Sequence, residues 1–151
     1  MRRITAILLC ITAAAIVPAA CDKTPVNGPL DGFWQLTTIA TPDSVRDVRR
    51  QGAFLSVYLH LSQWDHGHRE PRVYAHFTHT ADSIIFYDFA HLSTHQTTAD
   101  DDQPVTPEEM ASGLLDDWGV HTLDARFRVL TLNHSRMELQ AADTVLTFRK
   151  Y

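Results

Sequence analysis

Cysteine is nearly absent from this chain of 151 residues: there are two, Cys10 and Cys21. Cys10 lies inside an apolar leader, so a product that has lost the leader keeps Cys21 alone and has no disulfide framework. Basic residues are also scarce, thirteen against eighteen acidic. An acidic surface repels phosphate backbones, which disfavours nucleic acid, so none is expected as a partner, and argues against an electrostatic grip on anionic lipid. A long apolar run is missing as well. Ile4 to Ala20 falls short of the roughly 20 residues that cross a hydrocarbon core and is rich in small alanines, which favours cleavage over a permanent transmembrane helix. The serines sit in no strand-turn-helix glycine elbow, and no histidine has an assignable carboxylate to orient it, so the chain is expected not to be an enzyme.

What is present begins with the leader. Arg2 and Arg3 form a positive n-region, Ile4 to Val17 is apolar without a charge, and Pro18, Ala19 and Ala20 precede Cys21. Val17-Pro18-Ala19-Ala20-Cys21 resembles a lipobox, with Pro18 where that resemblance wants an aliphatic residue. Residues 1–20 are therefore expected to be a lipoprotein signal and Cys21 the lipid-bearing terminus; a plain secretory signal cut after Ala20 is the alternative. Thioether attachment of lipid removes the reactivity of a lone exported thiol. Each acyl chain adds about 0.8 kcal/mol per buried methylene, and two or more make anchoring stable. The expected location is the bacterial cell envelope, lipid-anchored to a membrane, the outer membrane foremost. Loss of residues 1–20 removes Arg2 and Arg3 and leaves eleven basic against eighteen acidic residues, a net charge of −7 over 131 residues. That length suits one domain with a core of its own.

Asp22 to Pro29 mixes turn and breaker residues and reads as part of a tether, residues 21–29. Asp22-Lys23 is similar to the start of the surface-export signals of Bacteroidetes lipoproteins. From Leu30, period-two alternation marks short strands over residues 33–40, 54–63, 72–78, 83–89, 126–132, 137–141 and 145–150. Within 54–63 the odd positions Leu55, Val57, Leu59 and Leu61 form the apolar set. Ala142 and Asp143 join the last two strands by a tight turn. About seven short strands predict an antiparallel barrel or sandwich. One helix is expected from Pro107 to Trp118, with Thr106 as N-cap, Glu109 completing a capping box, Gly119 as the stop and Met110, Leu114, Leu115 and Trp118 on one face.

Leu30-Asp31-Gly32-Phe33-Trp34 looks like the Gly-x-Trp signature of lipocalin-like proteins, and the chain closes with Phe148-Arg149-Lys150-Tyr151. The chain resembles the small lipocalin-like lipoproteins of Bacteroidetes over nearly its whole mature length. The resemblance implies a mainly β, antiparallel lipocalin-like (calycin-like) barrel of about seven to eight strands over 30–151, closed by Arg149 packed on Trp34. A cation over an indole contributes about 0.5–2 kcal/mol. It also implies a small apolar or amphipathic ligand in the barrel. The competing class is a structural or protein-interaction component of the envelope, with the interior filled by residues such as Phe54, Phe77, Phe86, Phe127 and Phe148.

Nine histidines raise the question of metal, chiefly His66-x-His68 with Asp65, and His76, His79, His91 and His95. His76 and His79 point to opposite faces of an extended strand, so solvated loop histidines and no metal site are expected. Asp100-Asp101-Asp102 lacks the alternating ligands and central glycine of a calcium loop. No cofactor is expected. The long polar stretch from His91 to Thr106, with the helix after it, is the expected recognition surface.

Overall fold

The structure, a computed structural model, describes residues 25–67, 72–92 and 102–151. Its ten strands are β1 (Gly32–Thr41), β2 (Ser44–Asp47), β3 (Phe54–Tyr58), β4 (Leu61–Asp65), β5 (Val73–His79), β6 (Ser83–His91), β7 (Gln103–Pro104), β8 (Ala125–Leu132), β9 (Arg136–Ala141) and β10 (Thr144–Lys150). Eight of them form a closed antiparallel barrel in the order β10-β9-β8-β6-β5-β4-β3-β1, with β1 pairing back onto β10. Short β2 lies outside β1, and two-residue β7 lies outside β6.

The eighth barrel strand comes from the segment expected to be one strand over 54–63. Tyr58 pairs with Leu61, so Leu59 and His60 form a two-residue hairpin loop between β3 and β4. Leu59 adopts φ 55°, the left-handed conformation such loops use. The turn reverses which parity faces inward. Leu55 and Val57 are buried on β3, but Ser62 and Trp64 take that role on β4, and Leu59 and Leu61 are exposed.

Barrel closure needs bending, and three register shifts supply it, between Leu36 and Thr38, Tyr74 and His76, and Val129 and Thr131. The second faces Asp88, a non-glycine residue at φ 52° inside β6. Before that bulge the even residues Ile84 and Phe86 face the core; after it Phe89 does.

The expected helix is cut short. Thr106 caps it with both halves of the capping box in place, but α1 spans only Pro107–Ala111. Gly113 has φ 96°, outside helical space, and the Asp116 carboxylate comes within 2.7 Å of where a Cβ would stand. The chain then makes a 3-10 turn over Asp116–Trp118 and leaves through Gly119 at φ 65°. This broken segment still buries Met110, Leu115 and Trp118.

The two barrel ends differ. One carries the start of β1, the β3–β4 turn and the C-terminus; there a 3-10 turn at Gly28–Leu30 buries Leu30. The opposite end carries α1, the Asp116–Trp118 turn and the turn at Ala142 and Asp143. Residues 93–101, most of the expected recognition loop, lie outside the described residues, as do Cys21 and the leader.

Candidate functional site

Three tryptophans and several phenylalanines are buried in the barrel. Trp34, Trp64, Trp118, Phe86, Phe127 and Phe148 are all less than 2% exposed. Trp64 sits at the centre, with Phe86 edge-on at 4.8 Å and Trp118 edge-on at 5.1 Å between ring centroids. Trp118 also stacks on Phe148 at 6.1 Å, and Phe86 meets Phe127 at 5.8 Å. Edge-on and offset rings pack at these separations with favourable quadrupole alignment. Of the phenylalanines expected as fillers, Phe77, Phe86, Phe127 and Phe148 do face the core, whereas Phe54 lies on the outer wall and stacks on Phe33 at 4.5 Å.

A buried indole N–H needs an acceptor, and each has one. Trp34 Nε1 donates to Leu30 O at 2.8 Å; Trp64 Nε1 donates to Ser62 Oγ at 3.1 Å, and that buried hydroxyl donates on to Ala75 O. Trp118 Nε1 points at the imidazole of His66, 3.0 Å from Nε2. This contact spans 52 residues, which explains why spacing gives no sign of it.

The closed end corrects the expected pair. Lys150, not Arg149, lies over Trp34, its Nζ 4.9 Å from the ring and donating to Pro29 O at 3.1 Å. The register sets Trp34 opposite Lys150 and Gln35 opposite Arg149. Period-two parity is the physical reason: Leu146 and Phe148 face the core, so the next inward residue is Lys150. Arg149 faces outward, where Nε donates to Gln35 Oε1 at 2.7 Å and the guanidinium stands 6.0 Å from the Tyr151 ring.

Among the described residues, one concave surface lies on the outer wall. A groove of about 520 Å³ runs along β3, β4 and β5, lined by Tyr58, Leu59, Leu61, Gln63, Tyr74, His76, Leu92 and Asp102 among others. Leu92 and Asp102, which belong to the expected recognition stretch from His91 to Thr106, both line this groove. Tyr74 donates its hydroxyl to Asp102 Oδ2 at 2.8 Å. Burial, reinforced by that carboxylate, pushes the Tyr74 phenol above its ordinary value and keeps it a neutral donor.

Carboxylate partners do exist for histidines, contrary to expectation. His91 Nε2 meets Glu109 Oε1 at 3.0 Å and His121 Nδ1 meets Asp116 Oδ1 at 2.8 Å. In the first pair the hydroxyl of Thr106 bonds the carboxylate rather than the imidazole, which is capping geometry and activates no nucleophile. His76 and His79 do not converge: His76 stacks on Tyr87, and His79 lies beside Phe77. Among the described residues no three His, Cys, Asp or Glu side chains gather in a metal-binding group; His68 and His95 fall outside them, as do Asp100 and Asp101.

The Thr106 backbone N–H, its hydroxyl and His91 hold the Glu109 carboxyl below its ordinary value of 4.5. A lowered carboxylate pKa stabilises the fold fully above the ordinary value, and the contribution is lost as pH falls through the lowered one. We expect the Thr106 amide proton resonance to titrate with a midpoint below 4.5 and to lose that step in Glu109→Gln. A midpoint at or above the ordinary value counts against the cap.

Comparison with known proteins agrees with this architecture. The model of a lipocalin-like domain matches residues 14–151. A crystal structure of a lipocalin-like protein from Bacteroides uniformis is similar at 20% identity and TM-score 0.57, over 82% of this chain and 100% of that one. A protein from Bacteroides eggerthii is similar at 20% identity and TM-score 0.57, over 80% of this chain and 98% of that one. An NMR structure of a protein from Burkholderia xenovorans is similar at 16% identity and TM-score 0.51, over 80% and 82%. No curated protein matches. The domain match spans nearly the whole chain and the described residues form a closed eight-stranded antiparallel barrel: the chain belongs to the lipocalin-like domain family.

Proposed function

We propose that the mature chain is a lipid-anchored, non-enzymatic binding module of the bacterial envelope, outer membrane foremost, and that its seat for a small apolar or amphipathic molecule is the outer groove rather than the barrel interior. One observation carries the reading: among the described residues the buried rings of Trp64, Phe86, Trp118, Phe127 and Phe148 pack against one another, while the groove combines apolar walls with polar groups. A groove of about 520 Å³ lies within the usual size of small-molecule sites. Leu61 and Tyr58 supply apolar surface; Gln63 and the Tyr74–Asp102 pair supply direction. No step in this reading requires catalysis, a metal or a cofactor. Anchoring through Cys21 is supported by the leader and the lone thiol.

Native mass spectrometry of the protein purified from its host tests the seat. A retained small molecule is expected, and Leu61→Lys should lose it while leaving the thermal midpoint unchanged, since Leu61 is 45% exposed. Retention that survives Leu61→Lys would move the seat elsewhere. If no preparation carries added mass, the filled interior favours the second reading, a protein-interaction component of the envelope. Incorporation of labelled fatty acid, lost in Cys21→Ser, tests the anchor separately.

A further inference from the structure

We infer that the apolar rim around the N-terminal end of the barrel is a membrane-contact face, with Val26, Phe33, Tyr58, Leu59 and Tyr151 resting in the headgroup layer of the bilayer that holds the anchor. The inference rests on the proposed anchoring at Cys21 and adds which way the domain faces.

Distribution is the first argument. Among the described residues eight large hydrophobic side chains are exposed: Val26, Phe33, Val45, Tyr58, Leu59, Leu61, Leu130 and Tyr151. All but Val45 and Leu130 gather at one place, where the chain enters the barrel. A concavity of about 460 Å³ is lined by Pro25, Val26, Phe33, Tyr58 and Leu59 together with Asp31, whose carboxylate accepts from Asn27 N and Nδ2. Tyr151 meets Phe33 edge-on at 5.9 Å and continues the patch. Scattered exposed hydrophobes need no explanation, but a contiguous cluster does.

Covalent reach is the second. Three residues lie between Cys21 and Pro25, and the four steps from one to the other span about 14 Å even fully extended. The entry point is pinned to the β3–β4 turn, because Asn27 Nδ2 donates to Leu59 O at 2.8 Å and to Asp31 Oδ1 at 2.6 Å. An anchor at Cys21 therefore brings this rim to the bilayer, and the end bearing α1 and Trp118 points away.

Charge is the third. Ser56, Tyr58, Leu61 and Gln63, the outward residues of β3 and β4 nearest the rim, carry no charge, whereas the outer wall of β8 and β9 carries Arg126, Arg128, Arg136 and Glu138. With a mature net charge of −7, the contact is apolar and aromatic rather than electrostatic. Tyrosine at such a face matches its preference for the membrane interface, where the ring is buried and the hydroxyl stays wet.

The test uses the mature chain, whose single thiol couples it to a maleimide lipid in nanodiscs of phosphatidylethanolamine and phosphatidylglycerol doped with a gadolinium-chelating lipid. Amide signals of Val26, Tyr58, Leu59 and Tyr151 should weaken at least about twofold more than those of Asp43 and Asp143, in keeping with interfacial depth. A double variant, Tyr58→Ser with Leu59→Asn, should shrink that contrast toward uniformity while the spectrum stays folded, since both side chains are exposed and Asn tolerates the left-handed turn. Equal weakening at both ends in the unmodified chain overturns the inference. So does contrast that persists undiminished in the double variant, because the tether alone would then explain it. So does a concentration-dependent dimer of the uncoupled domain that covers the same residues. Because coupling here is chemical, failure of the host to lipidate Cys21 would count against the anchoring reading and leave the measured orientation standing.

Discussion

Trp118→Ala should cost about 3–5 kcal/mol in urea denaturation, the range for truncating a large aromatic in a close-packed core. Domains of this size are stable by only about 5–15 kcal/mol, so the variant should sit near the edge of folding. Trp118 has no exposed surface, touches Trp64 and Phe148 with both of its faces or edges, and comes from the segment that covers one barrel end. Its removal should leave a hole lined by Trp64 and Phe148, with the His66 imidazole on one side to accept an N–H, and a largely aromatic hole of this kind binds small aromatic molecules. Indole at millimolar concentration should therefore raise the melting point of Trp118→Ala and leave the unmodified protein unchanged. Trp118→Phe should retain most of the stability and abolish the indole effect. A loss below about 1 kcal/mol would show that the end segment is not what fills the barrel, and would reopen the interior as a ligand site.

That outcome bears on how a lipocalin-like chain is read from its sequence. Alternation over 72–78 singles out Val73, Ala75 and Phe77, and they are inside; the strand expected over 137–141 is there too. The capping box at Thr106 and Glu109 and the turn at Ala142 and Asp143 also fall where local chemistry puts them. Alternation misleads where the chain changes parity without a glycine or proline to announce it. Leu59 and Leu61 continue the odd pattern of Leu55 and Val57, yet a leucine at φ 55° turns the chain and sends both outward. Asp88 changes parity in β6 in the same silent way. Gly113 does carry a signal, since glycine inside an amphipathic helix lowers its stability and permits φ 96°, but the apolar spacing of Met110, Leu114, Leu115 and Trp118 masks it. The His66–Trp118 and Tyr74–Asp102 contacts join distant segments, so they come from the topology and from no local pattern. Parity could have chosen Lys150 over Arg149, because Phe148 two residues earlier is unmistakably a core residue.

The same Lys150 explains why the entry motif needs glycine. Gly32 has φ 137°, a region that L side chains rarely adopt, and a Cβ added there would stand 2.5 Å from Lys150 Cε. The lysine stem crosses Gly32 in order to lay its ammonium over Trp34 and donate to Pro29 O. Gly32→Ala should then cost about 2–4 kcal/mol, of which the forced backbone accounts for about 1–3 and displacement of the cation from the indole for about 0.5–2. A double-mutant cycle separates the two. Lys150→Met keeps an apolar stem and removes the charge; Lys150→Ala clears the space altogether. In the Lys150→Ala background, Gly32→Ala should retain only its backbone cost, giving a coupling of about 0.5–2 kcal/mol between positions 118 residues apart. Lys150→Met should already lose the electrostatic part, visible as a shift in Trp34 fluorescence without a change in its burial. Strict additivity of Gly32→Ala and Lys150→Ala would mean that the glycine is required for its dihedral angle alone, and that the basic residue of the last strand plays no part in locking the closed end.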